Sequence, residues 1–243
     1  MSALIMFLTM YTLILCHELG HFLFAKSTGV RIHLFQIGLI PVFGFTAWET
    51  KFKFGLLPIL GFVEPDEPSY NSMSYRNKIL LALSGPMASS LLGCILLVAS
   101  GRSIIEAGLA AIIIPLAVPF LVVANPSMFV LTAQSNNLAA TVGMAQMFNA
   151  APNAILQMVG ILSLSLAGIN LIPMPPLDGG RALFDALESM FGKVTIKFLV
   201  VNGKNPPLVS VVKWSLMLIF LFYTSYTIIA EIWFAVTGVL SKM

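Results

Sequence analysis

Apolar residues in this chain run in long blocks separated by short polar stretches, unlike the short alternations that build a soluble core. A hydrocarbon layer about 30 Å thick needs roughly 20 apolar residues in a helix. Four blocks qualify, at about 3–25, 79–100, 154–173 and 213–236. A fifth, Ile104 to Ala124, is nearly as long but carries Pro115 and Pro119. The first block has no cationic leader and no small-residue cleavage site, and it holds ionisable residues. It therefore reads as a retained helix, not a signal peptide. Between the first two blocks the period changes. From Phe45 to Phe54 the chain alternates, with Thr46, Trp48, Thr50, Phe52 and Phe54 on one side and Phe45, Ala47, Glu49, Lys51 and Lys53 on the other. That period predicts a strand at an interface, with Gly44 and Gly55 as flanking turns. An edge strand here could take up an extended peptide by β-augmentation, which makes Trp48, Thr50 and Phe52 candidate substrate contacts. A plain amphipathic strand on the membrane surface is the other reading.

Composition sharpens the picture. Hydrophobic residues make up 58% of the 243 positions and charged ones 9%, at a mean hydropathy of +0.94. A soluble domain carries about 25% charged residues, so this chain could not cover itself in water. The expectation is a polytopic helical membrane protein. Secreted disulfide scaffolds, disordered chains and conventional nucleic-acid binders are excluded. The net charge of +3 marks no anionic partner. Cys16 and Cys94 both lie in apolar runs and suggest neither a disulfide framework nor a zinc knuckle.

The placement of charge says more than its sum. Six Lys and Arg lie between the first two long blocks and five between the last two, whereas only Arg102 falls in 101–153 and only Lys242 follows the last block. Basic loops stay cytoplasmic, so both termini are expected on the far side. An odd extra crossing by Ile104 to Ala124 would put the two basic loops on opposite sides. That segment is expected to re-enter, to lie on the far surface, or to pair with a second weak crossing from 127–150. The latter stretch, with Gln134, Asn136, Asn137 and Gln146, reads more like an interfacial helix.

Ionisable residues inside a span are functional candidates by default. The first block contains His17-Glu18-Leu19-Gly20-His21, an H-E-x-x-H. A random shuffle of this composition yields that pattern roughly once in a thousand. Residues i and i+4 share a helix face, so His17 and His21 can offer nitrogens to one metal ion while Glu18 reaches its water as a base. A polar cluster bonding neighbouring helices is the alternative. Catalytic zinc usually has three protein ligands and one open position. The third block ends Asn170-Leu171-Ile172-Pro173-Met174-Pro175-Pro176-Leu177-Asp178-Gly179-Gly180-Arg181. Its prolines break the helix and its glycines allow a tight turn. Irregular backbone at membrane depth must be buried in protein or line a watery cavity, which makes Asp178 the best third ligand. An N-cap aspartate opening a helix from Arg181 is the rival. The charge pattern puts His21 and Asp178 at the cytoplasmic ends of their spans, so they can meet at one depth.

These residues resemble the site-2 protease family of intramembrane zinc metalloproteases. The family pairs H-E-x-x-H with a later N-x-x-P-x-P-x-L-D-G, here His17 to His21 and Asn170 to Gly179. A third element, G-P-x-x-N, appears as Gly85-Pro86-Met87-Ala88-Ser89, with Ser89 in place of Asn. The resemblance implies that His17, His21 and Asp178 bind one zinc ion, that Glu18 is the catalytic base, and that Asn170 helps position substrate backbone. It also places a membrane re-entrant β-hairpin at about 31–63. The 101–153 connection is too short and apolar for a PDZ domain and nothing in the sequence resembles a CBS module, so substrate filtering by such a domain is not expected.

The expectation is thus one intramembrane metalloprotease domain over 1–243, all-α with that hairpin and the extra segment at 104–124. It would cleave a single-pass membrane protein in the bilayer, near the cytoplasmic side, as in regulated intramembrane proteolysis. A metal transporter would instead carry zinc flux that survives loss of Glu18. A catalytically inactive membrane chaperone would have lost ligands or base. His33 is expected to be interfacial and not a fourth ligand, Glu231 to be an anchor beside Trp233, and 181–205 to form a cytoplasmic surface helix.

Overall fold

Among the described residues, four helices are long and apolar enough to cross a membrane: Leu4–Ser27, Tyr75–Ala99, Ile104–Leu121 and Asn153–Asn170. They belong to a computed structural model that describes residues 2–124, 152–192, 194, 207–219, 222 and 233. In chain order the elements are α1 (Ser2–Ser27), β1 (Ile32–Ala47), β2 (Thr50–Pro65), α2 (Glu67–Asn71), α3 (Tyr75–Ala99), α4 (Ile104–Ala124), α5 (Pro152–Asn170) and α6 (Asp178–Phe191). A shorter apolar helix, α7, covers Leu208–Ile219 and opens the region of the expected last span. Most of 213–236, including Glu231, lies outside the described residues, as does 127–150.

Helix α3 is the hub, packing against α1, α4, α5 and α6. Lipid is as apolar as leucine, so such helices associate through close packing of small residues. A Cβ on Gly20 of α1 would overlap the Ser84 carbonyl and the Ala88 methyl of α3. Further along α3, Gly93 faces the Leu164 side chain and the Gly160 carbonyl of α5. Gly168 of α5 lies against Val118 and the Pro115 carbonyl of α4. The expected ambiguity at Ile104 to Ala124 narrows accordingly. The segment is one helix running through Pro115 and Pro119, packed on α3 and α5, without the break a re-entrant loop needs.

The period-2 stretch differs from the expectation. Phe45 to Phe54 is not one strand between glycine turns but the two arms of a hairpin that reverses at Trp48 and Glu49, with Ala47 opposite Thr50 and Phe45 opposite Phe52. Both turn residues have positive φ, 48° and 61°, the conformation for which Asn-Gly is the usual signature. Trp-Glu carries no such signature, so alternation read straight through the turn. Lys26 at the end of α1 donates to the Trp48 carbonyl at 2.9 Å and holds the tip. Gly44 and Gly55 lie within the strands, where other backbone approaches closely.

The strands bend, and residues 34–37 pair on both sides. Phe35 lies opposite Phe52 on one flank and opposite Val63 on the other. The 61–65 end of β2 is therefore an outer edge of the sheet. Phe22 of α1 joins Phe35 and Phe52 in a cluster with ring centroids 5.4–5.5 Å apart. Each buried ring contributes about 1.5–3 kcal/mol, and together they seat the sheet on the ends of α1 and α3.

Candidate metal centre and cavity

Helix α1 places His17 and His21 one turn apart, and α3 crosses it with three positions of one face, 81, 85 and 89. The Leu81 carbonyl accepts from His21 Nδ1 at 2.8 Å. A carbonyl can only accept, so Nδ1 carries the hydrogen and Nε2 is left with its lone pair. Ser84 Oγ, which donates to the same carbonyl at 2.6 Å, sits 3.3 Å from Nδ1. His17 Nδ1 lies 2.9 Å from Ser89 Oγ. Between these anchors, a Cβ on Gly85 would collide with the Nε2 atoms of both histidines. Only glycine leaves that space open.

Asp178 arrives from the far end of α5. Residues 171–177 are irregular, as their prolines require, and α6 begins at Asp178 itself. The N-cap position belongs to Leu177, which makes no side-chain cap, so the carboxylate is free to face the imidazoles. Gly179 and Gly180 do not form the turn expected of them. They lie in the first turn of α6, pressed against the backbone of Leu171 to Pro175 with no room for a Cβ. Asp178 Oδ2 is 3.0 Å from His17 Nε2 and 3.2 Å from His21 Nε2.

This trio fits a metal. One ligand atom from each residue lies within 4.8 Å of the others, all three residues being buried. Bonds of about 2.0–2.2 Å to a tetrahedral zinc put ligand atoms about 3.3 Å apart, close to the two distances to Asp178. Two nitrogens and a carboxylate oxygen are also the donor set such an ion takes.

Glu18, 7% exposed, opens with the trio onto a cavity of about 290 Å³. Its opposite wall is the edge strand, Leu60 to Val63 and Pro65, and Asn170 and Arg181 complete the polar lining. A Cβ on Gly61 would meet Ile14 Cγ2 at 2.6 Å and Glu18 Cγ at 2.7 Å, so the strand passes directly over the candidate base. Asn170 Nδ2 donates to the Leu166 carbonyl at 3.0 Å, which leaves its side-chain oxygen as an acceptor. Arg181 Nη1 stands 4.0 Å from Asp178 Oδ1. Behind it, Tyr70 Oη donates to Asp185 Oδ2 at 3.1 Å and ties α2, which follows the edge strand, to α6. Burial and the Asp185 charge push this phenol up to about 12, so it stays a donor.

The other expected substrate contacts are not brought to the cavity. Thr50 is fully buried and donates to the Ile32 carbonyl at 2.9 Å. Phe52 belongs to the aromatic core, and Trp48 stands 75% exposed at the hairpin tip. The alternation located a strand, but the arm that lines the cavity is Leu60 to Val63. The signal for that arm was Gly61, a glycine in an apolar strand, which marks close backbone approach. His33 is exposed and pairs with Asp66 at 3.1 Å, away from the trio. Gly85 and Ser89 were legible as positions of the G-P-x-x-N element but not as neighbours of the imidazoles, and Leu81 carried no mark.

Residues 5–201 match the profile of Peptidase family M50. A Clostridium acetobutylicum protein, named provisionally as a zinc metalloprotease, is 33% identical over 100 residues, 37% of this chain and 30% of its own length. A Thermotoga maritima protein of the same provisional name is 35% identical over 69 residues, 27% of this chain and 14% of its own. Zinc metalloprotease RasP of Geobacillus kaustophilus is 58% identical over 33 residues, 14% of this chain and 8% of its own. The chain thus spans less than a third of each of these relatives. With a match covering most of its length, the chain belongs to Peptidase family M50, the site-2 protease family.

Proposed function

We propose that this chain is a zinc-dependent endopeptidase acting on single-pass membrane proteins, cutting within the bilayer or at its cytoplasmic edge. The observation that carries this reading is the meeting of His17, His21 and Asp178 from two helices beside a buried glutamate and under an exposed strand edge. His17 Nε2, His21 Nε2 and an Asp178 oxygen would hold the ion. Bound zinc supplies Lewis acidity toward the scissile carbonyl and toward a water. Glu18 takes that water's proton and returns it to the departing amine, the dual role that proton transfer by a positioned carboxylate allows. The walls of the cavity shield this exchange from lipid.

A peptide bond in a helix is protected by its own hydrogen bonds, so a substrate must be extended before it is cut. The edge of β2 at 61–65 is suited to hold an extended segment by backbone pairing, with Gly61 bringing it over Glu18. Asn170 offers its side-chain oxygen to the substrate backbone from the facing wall. The basic loops favour an active site near the cytoplasmic surface and termini on the opposite side.

The reading is tested by purifying the protein, counting zinc per chain, and following cleavage of a co-reconstituted single-pass substrate. One zinc per chain and cleavage, both lost in His17→Ala, support it. A wild-type protein that binds no zinc, or zinc flux into vesicles without cleavage, contradicts it.

A further inference from the structure

Resting on the metal-centre reading above, we propose that Ser89 is a positioning residue for His17, fixing which imidazole nitrogen faces the metal. The two histidines are held by one face of α3 in matching ways. His21 Nδ1 donates to the Leu81 carbonyl at 2.8 Å. Two turns further along α3, Ser89 Oγ lies 2.9 Å from His17 Nδ1, and a hydroxyl oxygen can accept the Nδ1 hydrogen as the carbonyl does. The backbone carbonyl of Ser89 is engaged by Ser163 Oγ of α5 at 2.7 Å, so the hydroxyl is the acceptor that remains at that turn. Ser89 and Ser163 are both 0% exposed, so no water competes for the imidazole.

The chemistry follows from the two forms of a neutral imidazole. A hydrogen on Nδ1 gives Nε2 the lone pair a metal needs, and an acceptor opposite Nδ1 stabilises that form and fixes the ring plane. Without the Ser89 oxygen, His17 Nδ1 faces a dry methyl and the other tautomer competes. His21 Nδ1 keeps the Leu81 backbone carbonyl whatever the side chain at position 81, with Ser84 Oγ beside it at 3.3 Å. His17 Nδ1 has a side-chain oxygen in that place, and position 89 is where sequence tunes the His17 arm.

The test is zinc affinity, measured by chelator competition on the purified full chain, together with the visible spectrum of the cobalt-substituted protein. Ser89→Ala is expected to weaken zinc binding by roughly 10- to 100-fold and to alter the cobalt bands. Ser89→Asn, which keeps an oxygen acceptor, recovers most of that affinity. Ser163→Ala removes an equally buried hydroxyl from the neighbouring helix and leaves both readouts at wild type. Wild-type affinity in Ser89→Ala, or equal losses in all three variants, would overturn the proposal. Failure of the wild-type protein to bind zinc is a different result, which defeats the metal-centre reading itself.

Discussion

His17 Nε2 and Asp178 Oδ2 lie 3.0 Å apart across 161 positions of sequence. Nothing local to either residue produces that contact. It requires α1 and α5 both to pack on α3 and the prolines after α5 to release the chain in time for Asp178 to turn inward. Replacement of Asp178 by Asn keeps the shape and removes the charge. Asp178→Asn is expected to lose zinc, and a chelator that lowers the thermal midpoint of the wild type should leave this variant unmoved, because only a ligand bound to the folded state stabilises it.

Gly85→Ala separates helix stability from metal binding. In an ordinary helix interior the exchange favours the helix by about 0.5–1 kcal/mol. Here the added methyl enters the space between the Nε2 atoms of His17 and His21. Helix content by circular dichroism should be unchanged or higher while zinc binding is lost; retained zinc would show that the imidazoles converge elsewhere.

Gly61→Val places a branched side chain against Glu18 and Ile14. The trio is untouched, so zinc content should stay at wild type while cleavage falls by about 100-fold or more, the scale of losing a positioned base. Loss of zinc together with cleavage would mean that the strand supports the whole centre and not Glu18 alone.

The hairpin residues divide by burial. Phe52→Ala removes a ring from the aromatic core and should cost about 3–5 kcal/mol, seen as a lower unfolding midpoint in detergent. Trp48→Ala, at the exposed tip, should barely change the midpoint or zinc content. A large drop in the midpoint for Trp48→Ala would point to a buried role at the tip.

The helices α1, α3 and α5 and the meeting of His17, His21 and Asp178 were legible because each rests on a strong local signal: long apolar runs, i and i+4 histidines, and a proline-broken helix end. Charge placement alone did not predict that Ile104 to Ala124 forms an unbroken helix, because two prolines four residues apart weaken a helix that neighbouring α3 and α5 still support. Alternation failed at Trp48 and Glu49, where L-residues occupy a turn that leaves no glycine mark. Gly85 and Ser89 were marked by their motif, but their contact with the imidazoles, and that of Leu81, was hidden for a different reason. A backbone carbonyl at Leu81 and a missing side chain at Gly85 act through what any sequence has or lacks at every position, and only the crossing of α1 and α3 gives them meaning.

The central claim is that Glu18 moves the proton in a hydrolysis carried out at the His17, His21 and Asp178 centre. Its most direct test is the rate at which Glu18→Gln, loaded with zinc to the wild-type level, cleaves a co-reconstituted single-pass membrane substrate. Full zinc content and a rate lower by about 100- to 10,000-fold are expected. Undiminished cleavage by the zinc-loaded variant would contradict it.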